Sequence, residues 1–241
     1  MSLTSITSKI LEHIIHHHVV GHMDQHNLIS HKQHGFRKRR SCETQLVTTI
    51  QDLASGLDAS GQLDMIIMNF SKAFDTVPHT RLLMKLHHYG IRGHLLDWFR
   101  NFLTQRHQQI VLEGAQSGKV KVTSGVPQGT VLGPLLFLLY INDLPNCVTS
   151  TIRLFADDFI MYRNISSPVD LNTLQQDLDA LSSWRWQMSF NTKKCFAMHV
   201  THKRIFTTTK YRLCGRARKS GPSSLFRTQA VQGPKMESTC T

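Results

Sequence analysis

The chain has only five cysteines (Cys42, Cys147, Cys195, Cys214 and Cys240), scattered, odd in number and without a Cys-x-x-Cys pair. That pattern argues against a disulfide framework and against a structural zinc site. Long hydrophobic runs are also missing. The longest, VLGPLLFLLYI at 131–141, contains Pro134 and is too short to span a bilayer. The first residues, MSLTSITSKILEH, hold no apolar core of the signal-peptide kind. A soluble, intracellular protein without a membrane role is the expectation. Internal repeats are absent as well.

Acids are scarce: 16 Asp and Glu stand against 28 Lys and Arg, a formal net charge of +12. Much of the excess lies after residue 200, where nine basic residues meet one acid. In the body the one dense basic run is FRKRRS at 36–41, able to hold phosphates or to form a solvated loop. With 241 residues, the chain can bury a sizeable core as one large domain or two unequal lobes.

The apolar spacing predicts a helix over residues 1–26, with Ile6, Ile10 and Ile14 on one face. Its histidines include the i, i+4 pairs His18/His22 and His22/His26, but no carboxylate or cysteine completes a metal set, and a solvated face fits as well. A loop with Gly35 and the basic run leads into a helix from about Ser41. DMIIMNF (64–70) is nearly all apolar, the mark of a buried strand. Amphipathic helices follow at 79–91 and 93–106, then a hairpin signal at 107–126 and a loop feeding a buried helix at 127–145. At 151–163 two apolar half-strands flank Asp157-Asp158; a helix is expected over 170–191 and a strand over 193–200. The aperiodic residues 204–241 read as a disordered basic tail. This order predicts an α+β fold, helices packed on one face of a mainly antiparallel sheet.

Two adjacent carboxylates, Asp157 and Asp158, at the tip of an apolar hairpin are costly to desolvate unless cations are supplied, typically Mg²⁺ on oxygen ligands. An exposed Asp-Asp turn is the plainer reading.

Residues 27–200 resemble the reverse transcriptase domain of non-LTR (LINE-type) retrotransposons, particularly the jockey-like and CR1-like groups. The resemblance is carried by LISHKQHGFRKRRSCETQL, MNFSKAFDTVPHTRLLMKL, SGVPQGTVLGPLLFLLYINDLP, FADDFIMY and WQMSFNTKKCFAMHV, in the family's order and spacing. It implies a right-hand polymerase core with residues 1–62 a partial fingers region and 63–203 a palm with an antiparallel sheet, without a thumb. It also implies RNA-directed DNA polymerisation on two Mg²⁺ ions (or Mn²⁺), with an RNA template, a DNA primer and dNTPs as partners.

The metal-binding pair matches Asp157 and Asp158, whereas the family's first metal-binding aspartate is here Asn69. An amide brings no negative charge, so metal binding is expected to be weakened and the polymerase poor or dead. By the same resemblance Phe70 offers its backbone carbonyl to a metal, and Phe74 lies under the sugar and excludes a 2′-hydroxyl. Gln128 and Gly129 adjoin the incoming nucleotide, Lys194 lies near the triphosphate, and Arg37, Lys38, Arg39 and Arg40 touch template or triphosphate. Phe74 also reads simply as core, Gly129 as a hinge and Lys194 as a solvated strand end. The lost aspartate and the tail, which looks out of frame, fit a truncated, decayed copy. A non-catalytic nucleic-acid-binding remnant and a non-functional fragment are the alternatives. Oligomeric state is not legible.

Overall fold

In the computed structural model the described residues are 5–184, 188–203, 206–207, 209–213, 224–225 and 227–232. The elements begin with α1 (Ile6–Gln25), α2 (Cys42–Ser60), β1 (Gln62–Asn69), α3 (Ala73–Thr76), α4 (His79–His88) and α5 (Gly93–Thr104). Four two-residue strands follow, β2 (His107–Gln108), β3 (Val111–Leu112), β4 (Ala115–Gln116) and β5 (Val120–Lys121), and then α6 (Leu132–Ile141). The rest is β6 (Thr151–Phe155), β7 (Asp158–Asn164), α7 (Pro168–Ser183), β8 (Phe196–Thr201), β9 (Arg212–Leu213), β10 (Ser224–Leu225) and β11 (Arg227–Gln232). The chain forms two compact units, grouped by space and not by chain order. One holds the residues up to Ser30 with Ser71–Asn142; the other holds His31–Phe70, Asp143–Trp184 and the residues from Ser189 onward.

The second unit is built on a five-stranded sheet in the order β11-β8-β1-β7-β6. β1 is central because it is apolar on both parities and can be buried on both faces. It runs antiparallel to β7 and to β8, and β6 runs antiparallel to β7. Leu63 and Met65 pack with Tyr162 and with Leu53 of α2. On the other parity Phe70 and Phe159 face each other, with Trp184 at the end of α7 beside Phe70. Helical cover thus lies on both faces, not on one as the pattern of elements predicts; a strand apolar on both sides requires it.

Two polar clusters are tied into this sheet. Asp52 of α2 accepts from the Tyr162 hydroxyl and from the Arg153 guanidinium, whose Nε also donates to the Tyr162 oxygen at 2.8 Å. At the far end of β1, Asp64 is fully buried and accepts from the Tyr211 hydroxyl at 2.6 Å and the Gln62 amide at 3.0 Å. His199 Nδ1 stands 2.8 Å from the same carboxylate.

Two expectations need adjusting, and one element, α3, has no counterpart among them. The helix expected to run to 191 ends at Ser183, and Phe190 instead returns to bridge Phe70. A short helix, α3, stands directly after the Phe-Ser-Lys segment. Within the segment expected to be an unstructured tail, Tyr211 is buried and β11 extends the sheet, pairing parallel with β8. β9 and β10 pair antiparallel in the same segment, and residues 204–205, 208, 214–223, 226 and 233–241 of it lie outside the described residues.

The other unit is mainly helical. α6 is apolar all round, and its residues from Leu132 to Ile141 are buried apart from Pro134. Val131, at its N-cap, contributes no side-chain cap. Glu12 of α1 does that work: buried itself, it accepts from the backbone N–H groups of Val131 at 2.7 Å and Leu132 at 3.1 Å. A carboxylate here satisfies two orphan donors and lies at the positive end of the helix dipole. The region expected as a hairpin is one, its arms pairing antiparallel in two short nested ladders, β2 with β5 and β3 with β4.

Candidate active site

The end of β1 and the start of β7 bring the acidic pair and the amide together. Their antiparallel register sets Asn69 directly opposite Asp158. Phe155 and Asp158 close a two-residue turn made by Ala156 and Asp157. Asn69 Nδ2 donates to Asp158 Oδ1 at 2.5 Å. The Phe70 N–H points to the Asp157 carbonyl at 3.4 Å, so the tip is stitched on both sides. Beneath it, Phe70 stacks on Phe190 with ring centroids 5.0 Å apart and meets Phe159 at 5.5 Å. An apolar floor under a polar rim accounts for the electrostatics. Burial pushes the Asp157 carboxyl above its ordinary range and the Asp158 charge adds to this, while the Asn69 amide and Lys194 oppose it.

Lys194 itself is exposed, on the turn that joins Asn191 to β8, and its N–H donates to the Asn191 carbonyl at 2.9 Å. The Asn191 N–H in turn donates to the Asn69 carbonyl at 2.8 Å.

The donors at the tip are hard oxygens of the kind divalent magnesium takes: two carboxylates and main-chain carbonyls. The fit is incomplete at one position. Asn69 offers Asp158 an N–H, so it does for that carboxylate what a cation would otherwise do. Among the described residues no group of three or more His, Cys, Asp and Glu is placed to hold a metal ion. An aspartate at 69 would supply the third acid.

Sequence reasoning missed the support behind the tip. Gln33 is 4% exposed, and its Oε1 accepts from the Ala156 N–H at 3.0 Å and from the Gly35 N–H at 2.8 Å. Gly35 is in contact with the turn, since a Cβ there would stand 2.4 Å from the Ala156 nitrogen. Of the basic run, Lys38 and Arg39 are exposed, and Arg37 and Arg40 are half-buried. Arg40 folds back on its own loop, donating to the carbonyls of His31 and, at 3.3 Å, Gln33.

Phe74, Gln128 and Gly129 belong to the mainly helical unit. Phe74 is half-buried and stacks on Phe137, centroids 4.6 Å apart. Gln128 is exposed and its amide donates to Asp75 Oδ1 at 3.0 Å. Gly129, also exposed, has φ 86°, a conformation open to glycine. Gly125, in the same loop, has φ 88° and lies so close to Asp75 that a Cβ would stand 2.8 Å from its Cα. A groove of about 1040 Å³ runs beside this loop, lined by Lys72, Asp75, Arg106, Lys121, Ser124 and Gln128 among others.

Comparison with known proteins gives these sites a frame. A family model described as "Reverse transcriptase (RNA-dependent DNA polymerase)" matches residues 1–222. A probable RNA-directed DNA polymerase from transposon X-element of Drosophila melanogaster is 28% identical over 212 residues, 85% of this chain and 23% of the relative. The RNA-directed DNA polymerase from mobile element jockey of Drosophila funebris is also 28% identical over 212 residues, 83% of this chain and 23% of that protein. The chain therefore spans under a quarter of the length of these relatives. Among solved structures, telomerase from Candida tropicalis, in complex with the TWJ fragment of telomeric RNA, superposes with a TM-score of 0.61 at 9% identity. That match covers 78% of this chain and 33% of the other. Telomerase from Candida albicans, in the same kind of complex, gives 0.56 at 13% identity over 79% of this chain and 34% of the other. At such identities the likeness shows the fold: an α+β polymerase fingers and palm.

Proposed function

Since the chain belongs to the reverse transcriptase (RNA-dependent DNA polymerase) family, we propose that it is the reverse transcriptase domain of a non-LTR retrotransposon, with its polymerase activity impaired at residue 69. The observation that carries this reading is the convergence of Asn69, Asp157 and Asp158 at one strand end, with the amide hydrogen-bonded to Asp158.

The reaction is RNA-directed DNA synthesis, with an RNA template, a DNA primer and dNTPs as partners. Two divalent ions, Mg²⁺ or Mn²⁺, supply charge neutralisation for the attacking 3′-hydroxyl and the departing pyrophosphate. Asp157, Asp158 and the Phe70 carbonyl would hold them, and Asn69 would contribute no charge. Lys194, whose charge already reaches Asp157, would lie near the triphosphate and donate a proton to the departing pyrophosphate. Phe74 would set sugar selection from its stacked position on Phe137. Gln128 and Gly129 would adjoin the nucleotide, the latter because a backbone without a side chain allows close approach. Arg37, Lys38 and Arg39 would contact template or triphosphate phosphates; Arg40 would serve mainly to fix their loop. An intracellular setting follows from substrates of this kind, and among the described residues no helix is long and apolar enough to cross a membrane.

Primer extension on an RNA template, with Mg²⁺ or Mn²⁺, tests the reading by comparing the natural chain with Asn69→Asp. Extension that is weak in the first and at least tenfold faster in the second is expected. Robust extension by the unaltered chain would remove the impairment claim. A second reading, nucleic-acid binding without catalysis, is favoured by the Asn69–Asp158 bond, which lets the acidic tip persist without a cation. It predicts salt-dependent retention of an RNA–DNA duplex by both chains and extension by neither.

A further inference from the structure

We propose that Gln33 is a positioning residue for the candidate metal site, setting the turn that carries Asp157 through two backbone hydrogen bonds. The inference rests on the reading of Asp157 and Asp158 as metal ligands.

The turn has only two residues, and Ala156 occupies it with φ 54°, a left-handed conformation unfavourable for a residue with a Cβ. Such a turn persists only where its surroundings over-determine it. Ala156 is itself buried, so water is a poor partner for its N–H. Gln33 Oε1 takes that N–H at 3.0 Å, and its Nε2 lies 3.5 Å from the Ala156 carbonyl. The same Oε1 holds the Gly35 N–H at 2.8 Å, so one amide ties two segments 123 residues apart. The backbone around it is fixed to β6. Leu154 N–H donates to the Lys32 carbonyl at 2.9 Å, and His34 N–H donates to the Leu154 carbonyl at 2.8 Å. Gly35 leaves the space for this approach, and Arg40 closes the loop on its own carbonyls. None of these contacts touches the reacting atoms. Their joint effect is on where the Asp157 backbone, and hence its carboxylate, is held. An apolar side chain of similar length at 33 fills the same volume and leaves two buried N–H groups without an acceptor.

Two measurements test this. First, hydrogen exchange of the Ala156 amide is followed in the full chain. Gln33→Met should speed it at least tenfold, and Gln33→Glu, which keeps an acceptor, should restore protection. If Gln33→Met does not fold, Gln33→Asn, whose shorter arm cannot reach both N–H groups, is read in its place. Second, Mn²⁺ binding is titrated by electron paramagnetic resonance in the Asn69→Asp chain. Adding Gln33→Met should weaken binding about tenfold, whereas the equally buried control Leu178→Ala in α7 should leave it unchanged. Unaltered Ala156 exchange, or equal Mn²⁺ binding with and without Gln33, overturns the inference while leaving the metal site intact. No Mn²⁺ binding by Asn69→Asp alone overturns the metal-site reading, and the inference with it. Loss of binding in Leu178→Ala to the same extent would show general destabilisation and also overturns it.

Discussion

Replacing Asn69 by Asp gives a test of the tip that does not depend on polymerisation. In the natural chain Asn69 Nδ2 lies 2.5 Å from Asp158 Oδ1, a hydrogen bond between an amide and a carboxylate. The substitution removes the donor and sets a second carboxylate in its place, with Asp157 already adjoining. Two unit charges about 4 Å apart repel by about 1 kcal/mol in bulk water and about 4 kcal/mol at a surface-like effective dielectric. Asp158 is exposed and Asn69 half-buried, so screening favours the lower part of that range. With the lost hydrogen bond included, Asn69→Asp should lose about 2–3 kcal/mol of stability in chelator at neutral pH. For a domain of this size that is roughly 5–10 °C in Tm. A divalent ion present at about 100 times its Kd returns about 2.7 kcal/mol, which restores the melting point. The assay is thermal unfolding followed by circular dichroism, with EDTA and with Mg²⁺ or Mn²⁺. The natural chain should be nearly indifferent to the ions and the variant strongly dependent on them. A variant as stable as its parent in EDTA and unmoved by Mg²⁺ would refute the claim that these three side chains share one ion-binding space.

Further outcomes follow from the supports described above. Glu12→Ala should lose about 2–4 kcal/mol, since it strands the N–H groups of Val131 and Leu132 at the start of a buried helix, and Glu12→Gln should lose less; denaturant melts check both. Gly125→Ala should destabilise by about 2 kcal/mol or more in the same assay, because φ 88° and the nearby Asp75 backbone leave no room for a methyl group. Asp52→Asn should show a pH-dependent loss. Burial raises the Asp52 carboxyl, but the Tyr162 and Arg153 hydrogen bonds outweigh it, and the net shift is downward. A depressed carboxylate stabilises the fold above its unfolded pKa and stops doing so as pH falls through its folded value. The gap in Tm between parent and variant should therefore be full at neutral pH and shrink below about pH 4. A gap constant with pH would deny the ionised pairing.

Much of the sheet was legible because its signals are local. A nearly continuous apolar run marked a buried strand, and an acidic pair between apolar half-strands marked β6, β7 and the turn between them. The meeting of Asn69 with Asp158 came from motif order rather than from pattern, since nothing in the composition pairs residues 89 apart. Gln33 was not legible for a physical reason: one buried amide carries no periodic signature, and its partner lies in another segment. Phe190 was misread because WRWQMSFN continues the spacing of α7 well enough to pass for helix. Trp184, at the α7 C-cap, nevertheless leaves the helical conformation with ψ 106°, and Phe190 bridges Phe70. Tyr211 escaped notice because an aperiodic, basic surrounding hides a single aromatic with a buried partner.

That last residue bears on where the protein can be shortened. The Asp64 carboxylate is sealed inside the sheet, and Tyr211 is one of the few groups that reach it. Cutting the polypeptide anywhere between β8 and residue 211 would leave an acid in oil with fewer hands to hold it. The shortest version that keeps this carboxylate held must accordingly include Tyr211, well beyond β8, the last strand in chain order that pairs with β1.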